Sequence, residues 1–254
     1  MDLRRLIKLA TWAGQIILES GGEIYRVEET ITKILKSYQV KDAESFVTPT
    51  GIMVSLTAQD GDVISIIHRV SKSTVDLEKV SLINALSREL SVEVLSLDDL
   101  EKVLEEISSK SPYSIPFQLF LAAMCGFSFT LLFGGALLDA LVAVFIGIAV
   151  RLLQLGTREI KLSAIFNNIM GGALVALLAS ISVLIFKDKV HLDVIIIGSI
   201  MLLVPGIAFT NAIRDTLMGD YLSGVSKGME AFLIAVGIAI GAGTVLSIMG
   251  GAFV

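Results

Sequence analysis

Two kinds of patterning divide this chain near residue 110. Before it, apolar and polar positions interleave at helix and strand spacings; beyond it, long runs carry no charge. Leu3, Leu6, Ile7, Ala10, Ala13, Gly14, Ile17 and Leu18 recur at helical spacing and predict an amphipathic helix. Ser20-Gly21-Gly22 interrupts the pattern. Ile24, Val27, Ile31, Ile34 and Leu35 then place a second helix beyond a glycine hinge. Ser45 to Thr48 is strand-like. Ile52, Val54, Leu56 and Ala58 alternate with Met53, Ser55, Thr57 and Gln59, and Asp60-Gly61 marks a hairpin turn. On the following strand Val63, Ser65 and Ile67 oppose Ile64, Ile66 and His68. Leu77, Val80, Ile83, Leu86 and Leu90 predict a third helix. Ser96 to Asp99 fits a capping box ahead of a fourth, through Leu100, Val103, Leu104 and Ile107. The order α-α-β-β-β-α-α predicts a small α+β domain over residues 1–110.

Residues 111–254 read as a transmembrane helical domain. Five apolar segments predict spans at about 114–138, 140–157, 162–186, 193–213 and 230–253, because roughly 20 apolar residues cross a hydrocarbon core of about 30 Å. The fold class is thus an α-helical transmembrane bundle of about five spans preceded by a small cytosolic α+β domain. Four spans plus a re-entrant element is the alternative, since the second segment holds Arg151.

Composition agrees: 54% of residues are hydrophobic and 18% charged, against about 25% charged in a soluble domain. The net charge of −5 and the lack of a basic stripe interleaved with aromatics argue against a nucleic-acid partner. The lone Cys125 excludes an intrachain disulfide, and no motif calls for a metal or cofactor. The N-terminal run from Leu6 to Leu18 is amphipathic and has no cleavage site, which predicts a cytosolic first domain in a cell-membrane protein. Arg158, Lys161, Arg214 and Lys227 then fall in cytosolic loops and Lys187 and Lys189 outside, a small positive-inside bias that leaves the C-terminus outside.

The stretch from Leu203 to Gly224 holds the most chemistry. Pro205-Gly206 should break the fourth span, and broken helices in a bilayer are tolerated where protein or water satisfies the freed backbone. Thr210, Asn211, Arg214, Asp215 and Asp220 follow. Asn211 and Asp215 share a helix face, and Thr210 and Arg214 share the next. The plainer reading is a kink followed by a charged cytosolic loop. Asn167 and Asn168 point about 100° apart, so one faces the bundle, as a polar site or as an interhelical hydrogen bond. Arg151 either binds a carboxylate, pairs with Asp215 or snorkels. Asp139 and His191 read as loop residues. Gly237 and Gly241 permit close helix contact, in the bundle or with a partner. His68, with Glu23 or Ser55, is the one candidate catalytic grouping of the soluble part, and a structural histidine is the simpler reading.

Two stretches carry a resemblance. Ser20-Gly-Gly-Glu-Ile-Tyr-Arg-Val-Glu-Glu-Thr30, and Leu203-Val-Pro-Gly-Ile with Asn211-Ala-Ile-Arg-Asp215, Gly219-Asp220, Ser223-Gly224 and Glu230-Ala231, resemble the two signatures of the threonine/serine exporter family. The resemblance covers nearly the whole chain. It implies export of small metabolites from the cytosol: threonine and serine in some members, dicarboxylates such as succinate in others. It also implies that this chain is the larger half of a split exporter, working with a small membrane subunit; a second copy of this chain, the lipid bilayer and a small-molecule substrate are the other expected partners. The matched candidates are Glu23, Tyr25, Arg26, Glu28, Pro205, Gly206, Asn211, Arg214, Asp215 and Asp220.

A zwitterionic or dicarboxylic substrate needs a cation, which Arg214 or Arg151 supplies, and an acceptor for an amino group, which Asp215 or Asp220 supplies. A carboxylate in the pathway also serves to carry a coupling proton. The competing readings are a membrane-tethered hydrolase and a metabolite sensor, both acting through the first domain.

Overall fold

A computed structural model describes residues 2–40, 42–71, 74–110, 113–159 and 163–249, with the side chains of 158 and 159 left aside. Lys161 and the end of the predicted last span lie outside the described residues, as does the side chain of Arg158. The chain is mostly helical and divides into two units. One comprises Met1–Ser111 with Ile207–Met229, the other Pro112–Gly206 with Glu230–Val254.

In the first unit the elements follow the predicted order. Helices α1 (Leu3–Glu19) and α2 (Ile24–Ser37) precede strands β1 (Ala43–Thr48), β2 (Gly51–Thr57) and β3 (Val63–Arg69), then α3 (Leu77–Glu89) and α4 (Leu97–Ser109). Asp2 caps α1 by accepting from Arg5 N at 3.1 Å, and Ser96 caps α4 by accepting from Asp99 N at 3.2 Å. Gly14 lies where an added Cβ would come within 2.6 Å of Ile31, so α1 and α2 cross at close range. The sheet is an antiparallel meander in the order β1-β2-β3. Ser45, Val54 and Ile66 are aligned across it. Ile52, Val54 and Leu56 turn inward to join Ile17, Ile24, Ile31, Ile83 and Leu100 in one core. Full burial of each such side chain contributes about 1.5–3 kcal/mol, which is what holds α1 and α2 on the sheet.

The second unit holds α5 (Ile115–Leu132), α6 (Leu137–Glu159), α7 (Ala164–Phe186) and the short α8 (Leu192–Ile200). Four helices among the described residues are long and apolar enough to cross a membrane: Ile115–Leu132, Leu137–Thr157, Ala164–Lys189 and Tyr221–Met249. The segment expected to span at 193–213 is divided instead. Helix α8 ends at Ile200, and α9 (Gly206–Leu217) starts only after Pro205, which has no N–H to donate and disfavours helix at the residue before it. Helix α9 belongs to the first unit, and α10 (Tyr221–Met249) adds its start, through Met229, to that unit.

Glycines set the helix contacts in the second unit. An added Cβ at Gly126 would meet Ala143 O at 2.6 Å, and one at Gly147 would meet Ala122 O at 2.5 Å, which makes α5 and α6 antiparallel. Gly198 abuts Thr130 and Gly135 abuts Val194, so α8 is antiparallel to α5. Gly237 lies against Ile165 and Ile169, and Gly241 against Ile169 and Ala173. The G-x-x-x-G motif therefore packs within the bundle, with α10 parallel to α7.

Candidate functional site

The site grows from the hinge between α1 and α2. Gly21 has φ +83°, a left-handed conformation that glycine adopts without strain. Gly22 N donates to Ile17 O at 2.9 Å, closing the turn. Such a turn leaves backbone groups at the helix ends without helical partners. The hairpin of α9 and early α10 supplies them. Asn211 Nδ2 donates to Gly21 O at 2.8 Å, and Lys227 Nζ donates to Gly22 O at 3.3 Å. Ile24 N, at the start of α2, donates to Asp215 Oδ1 at 3.3 Å. Glu23 occupies the N-cap position of α2 but makes no cap bond with its side chain. Asp215 takes that role from a helix far away in sequence, where a negative charge also suits the helix N-terminus.

Charges are matched around this junction. Glu23 accepts from Arg26 Nε at 2.7 Å and is paired on its other oxygen with Arg214 Nη1. Burial works to raise the Glu23 carboxyl, but the Arg26 hydrogen bond and the two guanidinium charges hold it below the usual carboxylate range. Arg26 also bonds Tyr25 Oη at 3.2 Å. Asp215 is fully buried, and Lys227 Nζ lies 2.9 Å from its Oδ2 with a side chain 12% exposed. The angle there is too poor for a hydrogen bond, so Oδ2 is compensated by charge alone. Arg214 is different: its side chain stays 44% exposed.

A second pair of carboxyls borders the cluster. Gly219, with φ +96°, turns the chain from α9 into α10, and Asp220 N donates to Asp215 O at 2.9 Å. Gly224 must be glycine, because a Cβ would come within 2.1 Å of Thr216 Oγ1. Burial first, then the charge of Asp215, pushes the Asp220 carboxyl up, against the pull of Lys227. Glu28 accepts from Val47 N at 2.9 Å, yet burial and the Asp220 charge raise its carboxyl above the ordinary range.

The structure brings Glu23, Tyr25, Arg26, Glu28, Asn211, Arg214, Asp215 and Asp220 together in one unit. The face shared by Asn211 and Asp215 is the buried one, while Thr210 is exposed on α9. The other candidates are elsewhere. Pro205 and Gly206 mark the break before α9. Arg151 donates to Gln118 Oε1 at 2.6 Å and Gln154 Oε1 at 2.9 Å in the second unit, whereas Asp215 takes Lys227 as its counter-ion. Asn167 accepts from Thr157 Oγ1 at 2.8 Å between α6 and α7, and Asn168 donates back to Ala164 O of its own helix at 2.7 Å. The grouping of His68 with Ser55 and Glu23 does not form. Ser55 pairs with Ser65 on one face of the sheet, His68 stands on the other opposite Ile52, and Glu23 is held by two arginines.

Three residues were missed. Lys227 read as a loop cation, because the hairpin that returns it to Asp215 has no sequence period. His191 does lie in the loop before α8, but Asp139 is not a loop residue, and the contact between the two went unread. Asp139 is fully buried at the start of α6, where it accepts from Ala136 N at 2.8 Å, His191 N at 2.8 Å and His191 Nδ1 at 2.9 Å. Its place three residues beyond Ala136, after Gly134-Gly135, is half of a capping box and was the available signal.

Residues 8–249 match the threonine/serine exporter family, ThrE. The chain is 24% identical to the "Probable threonine/serine exporter" of Mycobacterium tuberculosis, over 95% of this chain and 46% of that protein. It is 23% identical to the threonine/serine exporter of Corynebacterium glutamicum, over 94% and 50%. It is 25% identical to a probable succinate transporter subunit of Klebsiella aerogenes, over 94% and 92%. The chain thus spans about half the length of the first two relatives. No solved structure matches it.

Proposed function

This chain belongs to the threonine/serine exporter family of multi-pass membrane transporters, and from that premise we propose that it is the larger subunit of a two-component exporter. It moves threonine and serine, or a C4-dicarboxylate, out of the cytosol together with a second, small membrane subunit. The observation that carries this reading is the junction itself. The two stretches on which the family resemblance rests bind each other through Asn211, Arg214 and Asp215 on one side and Gly21, Glu23 and Ile24 on the other. Two relatives named as threonine/serine exporters are about twice as long, and a relative named as a succinate transporter subunit is nearly the same length.

Five membrane crossings, with the first domain cytosolic, fit the helix directions. Helices α7 and α10 run parallel, so the chain must return between them. Leu203 abuts Gly171, some 15 residues or ~22 Å of helix below the C-terminal end of α7, so α8 and the residues after it cover most of that return.

Arg214 is the cation for a substrate carboxylate. It is half exposed, and Glu23 retains Arg26 when Arg214 turns away, so the exchange leaves no buried charge unpaired. Asp220 receives the amino group or a proton, and Glu28 beside it carries the same tendency to hold a proton. Asp215 and Asn211 position these groups by holding the hairpin on the hinge. Mass spectrometry of medium and cytosol from cells expressing the chain, with and without a small membrane subunit, tests the function. Partner-dependent efflux of threonine, serine or succinate is expected; unchanged metabolites with both proteins in the membrane would refute it. Arg214→Lys keeps the charge but loses the two-pronged contact, and export should fall about tenfold or more with insertion intact. Normal export by that variant would remove Arg214 from the substrate site.

A further inference from the structure

Within the first unit, α2 and α3 face each other with polar stripes. Arg26, Glu29, Thr30 and Lys33 recur at i, i+3, i+4 and i+7 along α2, and Asn84, Ser87 and Arg88 at i, i+3 and i+4 along α3. The two stripes enclose a polar cleft of about 100 Å³. Thr30 and Ser87 are its deep members, 3% and 4% exposed, and Lys33 and Asn84 are half-buried. Thr30 Oγ1 donates to Asn84 Oδ1 at 3.4 Å across the cleft, and Ser87 Oγ donates to Asn84 O at 2.9 Å.

The groups left over are donors. Asn84 directs its side-chain oxygen to Thr30, so both Nδ2 hydrogens remain. Arg26 uses Nε and Nη2 on Glu23 and Tyr25, so Nη1 remains. Lys33 and Arg88 take no salt bridge among the described residues. Glu29 is the one carboxylate in the lining; it is exposed, and three cations against it leave a net charge of +2.

We propose that the cleft between α2 and α3 binds a small doubly charged oxyanion, phosphate or a short dicarboxylate, through Arg26, Lys33 and Arg88. The net charge of the lining matches such a ligand. Guanidinium and ammonium groups make short, charge-assisted bonds to phosphate and carboxylate alike, and Asn84 adds a neutral donor from the α3 side. Volume sets the class. About 100 Å³ is well below the ~300–1,000 Å³ of sites for drug-sized ligands, so an oxyanion enters and a nucleotide does not. The site is distinct from the Arg214 contact but adjoins it, because Arg26 lines the cleft and also holds Glu23, the partner of Arg214. The inference concerns binding by the first unit and is independent of the metabolite exported.

Isothermal titration calorimetry tests it on the full chain in phosphatidylcholine nanodiscs at about 0.15 M ionic strength, where distant exposed charges are screened. Inorganic phosphate and succinate are the probes, titrated separately. At least one should bind, and the tighter of the two identifies the anion class. Arg88→Gln and Lys33→Gln should each weaken binding about tenfold or more, since each removes a charge-assisted bond. Lys36→Gln, the next cation along α2 and outside the cleft, should change the affinity less than about twofold. Should Lys33→Gln fail to fold, the exposed Arg88→Gln decides the matter alone. No binding of either probe would overturn the site, and so would an equal loss in Lys36→Gln, which would make the attraction diffuse. Succinate binding untouched by Arg88→Gln and Lys33→Gln, with phosphate unbound, would assign the succinate to the export pathway and overturn the cleft. Because no transport is measured, failure here is separate from failure of the exporter reading.

Discussion

Two aspartates at 0% exposure, one in each unit, solve the same problem with different partners. Asp215 accepts from the backbone of Ile24 and neutralises Lys227, which is itself nearly buried. Asp139 accepts from the backbone of Ala136 and His191 and faces the His191 ring, which is 60% exposed. Each ties the start of one helix to a distant segment. The difference is the counter-charge: an ammonium faces Asp215, whereas an imidazole, the side chain whose charge changes near neutral pH, faces Asp139. The contact between the starts of α6 and α8 is therefore one that pH adjusts.

The comparison breaks most severely at Asp215. Asp215→Ala leaves a buried ammonium without its anion and Ile24 N without an acceptor, and should cost the first unit about 3–5 kcal/mol. Thermal unfolding of the purified full chain would read it, and adding Lys227→Met should restore a large part. A double variant no more stable than the single one would show that the ion pair is not what holds the hairpin.

Asp139→Ala should cost less, about 1–3 kcal/mol, because it strands backbone donors but no buried cation. If it proves as costly as Asp215→Ala, the contrast between the two sites is wrong.

The smallest effect is the pH dependence at His191. The hydrogen bond to Asp139, helped by that charge and by Asp193, raises its pKa in the fold, with burial opposing. The stabilisation is then complete below the ordinary histidine value of about 6.5 and is lost as pH rises through the higher folded value. The melting temperature should decline from pH 5.5 to pH 8.5, and His191→Gln should flatten that part of the decline. An unchanged slope in His191→Gln would assign the pH response to other groups.

Much of this architecture was legible in the chain. Apolar positions at period 3.6 and period 2 placed α1 to α4 and the meander, because each element has one face in a core and one in water. Ser96 and Gly61 announced a cap and a turn for local reasons. Long apolar runs with few or no charges marked α5, α6, α7 and most of α10, since a bilayer selects by length and polarity alone. The region from 193 to 227 was legible only in part. Pro205 declared the break, but hydropathy cannot say that the helix after it turns its polar face to the hinge between α1 and α2 and leaves its apolar face exposed.

The sequence by itself determined the two classes of segment, the helix and strand periods, and which residues carry charge within apolar stretches. Those properties follow from local geometry and from the solvent each segment must meet. Only the tertiary structure decided that Glu23 and Arg214, 191 positions apart, share a bond, that Asp215 caps α2 and holds Lys227, and that Asp139 receives His191. A buried charge must find a counter-charge or a donor, and nothing local dictates where along the chain it finds one. Fold closure does, by bringing a glycine hinge and a glycine-turned hairpin into register.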